Sequence, residues 1–187
     1  MPRTRQPALI IEKPIKFDQK LVLNHWLFNL FEVKDLNKLA EWLKDPALEG
    51  LDENNISHYC HVLRAQLFDR KELPGDLLLA YDQNIVRHWK RITEHRNRQG
   101  NALHPKYFQY LALLFTEIYL DRYFSDPEKL LADLNQQVAL FNEGKPNSSR
   151  VDTYKLEELN KIAFWMATGS GKTLLMHINI LQYQHYL

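Results

Sequence analysis

"PKYFQYLALLFTEIYLDRYF", residues 105–124, is apolar on nearly every helical face, with Phe108, Tyr110, Leu111, Leu114, Phe115, Ile118 and Tyr119 leaving no side suited to water. A helix of that kind belongs at the centre of a bundle, and Pro105 marks its first turn. The flanking segments have helical spacing and clear punctuation. In "SDPEKLLADLNQQVALFN", 125–142, Ser125 or Asp126 is the cap, Pro127 comes early, and Leu130, Leu131, Leu134, Val138 and Phe141 form a stripe. Upstream, Pro74 begins a short apolar turn, and Asp82 is the expected cap of a long helix running to about Asn97 and closed by Gly100. Asn54 or Asn55 is expected to cap "ISHYCHVLRAQLF", Asp35 "LNKLAEWLK", and Asp18 "QKLVLNHWLFNLF". No strand-like alternation interrupts this region. The pattern predicts an all-α domain of about six helices over 17–143, preceded by a flexible arm, 1–16, in which Pro2, Pro7 and Pro14 forbid a helix and "ALII" packs locally.

Composition narrows the class. A chain of 187 residues can bury a real core, and 45% hydrophobic with 12% aromatic content is too apolar for disorder. Charged residues, 25% of the chain, are too evenly spread for a membrane protein. No run approaches the ~18 apolar residues of a membrane span, and the first residues lack a secretory signal, so a soluble, cytoplasmic protein is expected. The one cysteine, Cys60, cannot form an internal disulfide. A net charge of +1 leaves any argument for a polyanionic partner to the local distribution of charge.

The pattern changes class near the end. "NEGKPNSSRVD", 142–152, is the best linker in the chain, placing a boundary over 144–153. In 154–187, a short helical stretch, "YKLEELN", is followed by a β-compatible run, "KIAFWM", then "ATGSGKT" and a helical "TLLMHINILQYQHYL". Strand, glycine turn and helix is the order of a phosphate-binding loop. A triphosphate needs donors arranged around its charge, and a helix start supplies free N–H groups with a partial positive charge. Gly169 and Gly171 allow the backbone to bend into that nest. Lys172 reaches the β and γ phosphates, and the Thr173 hydroxyl holds Mg²⁺. Met166 replaces the first glycine of the strict G-x-x-x-x-G-K-[ST] pattern.

"MATGSGKT" resembles motif I of superfamily-2 helicases, in the form found among type III restriction subunits and bacterial phage-defence helicases. The wider stretch from "KLEELN" onward is similar to the opening of their first RecA-like lobe. The resemblance implies an N-terminal helical domain followed by the first strand, loop and helix of an α/β motor. It implies ATP and Mg²⁺ as cofactors, DNA as the partner of the whole protein, and companion subunits in a restriction or defence complex. Thr168, Gly169, Ser170, Gly171, Lys172 and Thr173 inherit the grip on phosphate, and Thr173 that on metal. In such helicases the Asp-Glu box, the arginine finger and the second lobe follow motif I, so no catalytic residue is expected within these 187 residues. Asp52 and Glu53 lie upstream in a loop-like stretch and are not expected to replace that box. The alternative is a helical protein- or DNA-interaction module whose loop is inactive. Without a motor sheet to hold the loop, the 187 residues alone are expected to bind ATP weakly or not at all and to show no hydrolysis, and a surface of the helical domain or another chain is expected to cover the apolar side chains from about 161 onward.

Three further groupings carry weaker signals. Arg87, Lys90, Arg91 and Arg98 lie near one helical face beside Trp89, a stripe suited either to a phosphate backbone with Trp89 stacking on bases or to an amphipathic helix with Trp89 inside. His58, Cys60 and His61 fall within about one helical turn without the further ligands of a zinc site or the orienting group of a nucleophile. Trp26, Phe28, Phe31 and Trp42 are expected in the core.

Overall fold

The all-round apolar helix forms where expected and sits at the centre. The computed structural model describes residues 15–68, 70–100 and 102–187, and the arm expected over 1–16 falls almost entirely outside them. The helices are α1 (Val22–Leu30), α2 (Leu36–Leu43), α3 (His58–Gln66), α4 (Gly75–Asn97), α5 (Tyr107–Ser125), α6 (Pro127–Asn142) and α7 (Lys172–Tyr186), joined by short 3₁₀ turns. The described residues are mainly helical and contain no β-strand. Helix α5 packs against α2, α4, α6 and α7, and Leu113, Leu114 and Ile118 are fully buried. Trp26 and Phe31 are buried, and Phe28 and Trp42 pack against the same core.

Several stops and starts follow local chemistry. Asp35 caps α2 by accepting from the Lys38 N–H (3.2 Å), and Asp126 caps α6 by accepting from that of Lys129 (2.9 Å). Others differ from expectation. Asp18 lies in a 3₁₀ turn, Phe17–Lys20, and Leu21 heads α1. Neither Asn54 nor Asn55 caps α3, because Asn55 is in the left-handed region (φ 62°) of a turn in which Asp52 accepts from the N–H groups of Asn54 (2.8 Å) and Ile56 (2.9 Å). Ser57 caps α3 instead, its hydroxyl accepting from the Cys60 N–H (3.1 Å). Asp82 does not begin a helix either. Helix α4 starts a full two turns earlier, after Pro74, and Asp82 is wholly buried within it. There its carboxylate accepts from the Ser57 N–H (2.9 Å), the Ser57 hydroxyl and the Tyr110 hydroxyl (2.7 Å), tying α3, α4 and α5 together. A buried carboxylate with three donors is satisfied; one spent on an exposed cap would leave those donors without a partner.

The stretch expected as a linker is strapped to α6. Asn142 and the backbone of Val151 exchange two hydrogen bonds (2.8 and 2.9 Å), and Asn135 does the same with Tyr154 (3.1 and 2.8 Å). The chain therefore runs back along α6, and the Tyr119 hydroxyl holds the Leu159 carbonyl (2.8 Å). "YKLEELN" makes only a 3₁₀ turn, Leu156–Glu158. "KIAFWM" is neither helix nor strand, and no described segment pairs with it. A strand is defined by its ladder, and this run has no neighbour to pair with: Ile162 and Met166 pack on the core while Trp165 between them is 93% exposed.

Candidate phosphate-binding loop

The turn at 167–170 closes with a hydrogen bond from the Ser170 N–H to the Ala167 carbonyl (3.3 Å) and leads into α7. Gly169 (φ 80°) and Gly171 (φ 86°) are both left-handed, the conformation a Cβ opposes. Met166 is not left-handed; among the described non-glycine residues only Glu32 and Asn55 are. The first position of the strict motif therefore has no need of glycine here, and the Met166 side chain packs against the core instead.

Gly171 is the N-cap of α7 and offers no side-chain acceptor, so the N–H groups of the first turn carry the positive end of the helix without a cap. Lys172 bends back across the turn, its Nζ donating to the carbonyls of Met166 (3.2 Å) and Ala167 (3.1 Å). Thr168, Gly169, Lys172 and Thr173 are exposed, and Ser170 and Gly171 are half-buried. The Ser170 hydroxyl is buried and has no partner among the described residues. These residues fit a triphosphate: two glycines open the backbone, an orphaned hydroxyl and uncapped N–H groups await acceptors, and an ammonium lies over the mouth. Beside the loop, an open apolar groove of about 530 Å³ is bounded by Phe164, Met166, Lys172, Thr173, Met176 and Tyr183.

The loop is held by the helical core. Helices α5 and α7 run in the same direction, with Gln109 beside Ser170, Thr116 beside Asn179 and Phe124 beside Tyr183. The inner face of α7, Leu175, Ile178 and Gln182, is buried against α4 and α5. At its far end Glu117 of α5 is fully buried and accepts from Asn84 (2.6 Å), Gln182 (2.6 Å) and the Tyr186 hydroxyl (2.7 Å). Burial pushes the Glu117 carboxyl above its usual range, against the pull of those three donors. Next to it, burial lowers His88 to about 4, and Arg87, His185 and Arg91 add to the effect. No local pattern pointed to Gln109 or to the Glu117 cluster, whose other members lie 33 to 69 residues from Glu117.

The remaining candidates fall out as follows. Arg87, Lys90 and Arg91 are exposed on α4 and Arg98 is exposed at its C-cap, but Trp89 is only 4% exposed and donates its indole N–H to the Leu103 carbonyl (2.6 Å), so it is a core residue and not a stacking platform. Arg87 meets Asn84 and His185, Lys90 meets Asn55 (2.5 Å), and Arg98 pairs with Glu94 (2.5 Å). Cys60 is buried, its thiol pushed up to about 12 chiefly by burial, which removes the thiolate a nucleophile or metal ligand requires. His61 turns away to Asp52 (2.9 Å). Asp52 itself is held below the usual carboxylate range, first by the Ile56 N–H and then by His61, and is a turn-former remote from the loop in sequence. Among the described residues no group of three His, Cys, Asp or Glu is placed to hold a metal, and no helix is long and apolar enough to cross a membrane.

Comparison with known proteins found no matching family model, curated protein or solved structure.

Proposed function

We propose that this chain is the N-terminal portion of an ATP-dependent DNA helicase or translocase of the restriction or phage-defence type, gripping Mg²⁺–ATP at 168–173. The observation that carries the reading is the pair of left-handed glycines heading an uncapped helix, with Lys172 laid across the turn they make. In this role Lys172 leaves its two carbonyls for the β and γ phosphates, Thr173 supplies a hydroxyl to Mg²⁺, and the Ser170 hydroxyl gains an acceptor. Mg²⁺ is commonly held by one or two protein groups and the phosphates themselves, so a carboxylate cage is not required for binding. Hydrolysis asks for more, a base or positioning group for water and a further cation on the transferred phosphoryl group, and those roles fall to the motor as a whole. The 154–187 stretch is then the opening of a RecA-like lobe whose sheet continues from "KIAFWM".

The expectation of a weak grip rested on the lack of a core to hold loop and helix at a fixed angle. Helices α4 and α5 supply such a core, so the 187-residue chain should itself bind Mg²⁺–ATP. Titration with a fluorescent ATP analogue tests this: saturable, Mg²⁺-dependent binding lost in Lys172→Ala supports the loop, and equal behaviour of the two proteins removes it. In the whole protein, DNA-stimulated ATP hydrolysis should vanish with the same substitution.

The second reading, a helical interaction module with an inactive loop, is favoured by the outer face of α7. Met176, Ile180, Tyr183 and Leu187 recur at helical spacing and are about half or more exposed. An apolar stripe of this kind marks a surface that another element covers. In the helicase reading the sheet of the motor lobe would cover it. The nucleotide titration separates the two.

A further inference from the structure

We infer that Gln109, in the first turn of α5, is a positioning residue for the phosphate loop, setting the peptide that presents the Gly171 N–H; this rests on the nucleotide-binding reading above. Both ends of the Gln109 amide are committed. Its Oε1 accepts from the Lys106 N–H (2.9 Å), closing the start of α5, and its Nε2 donates to the Ser170 carbonyl (2.9 Å). The two bonds together decide which end is oxygen and which nitrogen. A trans peptide is planar, so the C=O of Ser170 and the N–H of Gly171 point in opposite directions. With the carbonyl drawn toward Gln109, the Gly171 N–H faces away from α5 and joins the uncapped donors of the α7 start.

The contact also explains a second demand on Gly171. A Cβ there would meet Gln109 Nε2 at 2.6 Å, too close for any side chain unless Gln109 moved away. Gly169 has nothing within 4 Å of such a Cβ, so it is required by its backbone angle alone. Glycine at 171 thus serves both the left-handed turn and the approach of a helical-domain side chain. Gln109 is the only recorded side-chain hydrogen bond from α1–α6 to 167–173 among the described residues, and this makes it the point at which the helical domain acts on the loop.

The test compares the 187-residue chain with Gln109→Met, Gln109→Glu and Lys172→Ala. Methionine has a similar shape and neither donates nor accepts. Glutamate keeps the acceptor for the Lys106 N–H, lacks the donor to Ser170 and adds a negative charge, so for this variant the Gly171 exchange is read without nucleotide. Each protein is titrated with a fluorescent ATP analogue and Mg²⁺, its melting temperature is recorded, and exchange of the Gly171 amide hydrogen is followed by NMR. Gln109→Met should bind roughly 3- to 10-fold more weakly, the equivalent of one backbone hydrogen bond, and Gln109→Glu at least as weakly. Gly171 exchange should quicken in both, with the melting temperature of Gln109→Glu unchanged. Unaltered affinity and exchange in both variants, with binding still abolished by Lys172→Ala, would overturn the role of Gln109 and leave the loop standing. Binding that does not depend on Lys172 would remove the loop and this inference with it. Should Gln109→Met fail to fold, the Gly171 exchange of nucleotide-free Gln109→Glu, which retains the helix start and in which repulsion of phosphate plays no part, decides: quickened exchange supports the role and unaltered exchange overturns it.

Discussion

Helices α5 and α7 lie side by side in the same direction, and both are apolar beyond a single stripe, yet only one is enclosed. Helix α5 meets α2, α4, α6 and α7 and buries residues around its whole circumference. Helix α7 buries Leu175, Ile178 and Gln182 and leaves Met176, Ile180 and Tyr183 outside. Apolar periodicity reports how much of a helix is suited to burial; it does not say what performs the burying. For α5 the coverage comes from its sequence neighbours α4 and α6 together with the distant α2 and α7. For α7 half comes from helices encoded 50 to 100 residues earlier, and the outer half is a surface.

Substitutions on the two helices put that contrast to the test. The largest effect is expected for Leu114→Asp in α5, at a site with no exposure at all: an unpaired carboxylate there costs more than about 4 kcal/mol and should unfold the chain, seen as loss of cooperative melting. A stable, cooperatively melting variant would show that α5 is not the centre. On the inner face of α7, Ile178→Ala should cost about 2–4 kcal/mol in urea unfolding through the cavity it leaves. A loss below about 0.5 kcal/mol would mean that α7 is not integral to the core.

The cluster between the helices has its own signature in pH. His88 is lowered from 6.5 to about 4, so its contribution is fully present above 6.5 and is lost as pH falls through about 4. Glu117 is raised, so its contribution is present below 4.5 and is lost as pH rises through its elevated folded value. The two oppose each other in mildly acidic solution. Phenylalanine at 88 should remove part of the acid-side loss of stability, and Glu117→Gln, which can keep all three neighbours hydrogen-bonded, should remove the loss on rising pH. Urea midpoints from pH 4 to pH 8 measure both, and parallel curves for wild type and variants would count against a buried, neutral His88 or an elevated Glu117. The smallest effect belongs to the outer face: Ile180→Asp, at a position 52% exposed, should change stability by no more than about 0.5 kcal/mol. A larger loss would show that the stripe is already covered in solution.

Much of this was legible beforehand. The caps at Asp35 and Asp126, the central place of α5 and the glycine turn before α7 each follow from residues within a few positions of one another. Asp82 misled because an acidic residue ahead of an apolar run has the same local pattern whether it caps a helix or sits inside one. What distinguishes the cases is Ser57 and Tyr110, 25 and 28 residues away. "KIAFWM" differs for a related reason: an apolar, β-compatible composition belongs to one segment, and a strand needs a pairing partner that composition cannot supply. The stretch 142–152 looked like a linker because its Gly, Pro, Ser and Asn carry no apolar signal, while the two asparagines that bind the backbone at Val151 and Tyr154 belong to α6.

By itself the sequence determined the helical class, the helix ends governed by adjacent side chains, and the presence of a phosphate-loop pattern, because backbone propensity, capping and apolar period act over one or two turns. Only the tertiary structure decided that α7 docks in parallel on α5, that Glu117 and Asp82 are buried nodes, and that Gln109 reaches the loop. Those are pairings of single polar groups across long stretches of chain. Nothing in the spacing of either partner encodes them; they exist because packing removes water and leaves each buried donor and acceptor to whichever partner the fold has brought within reach.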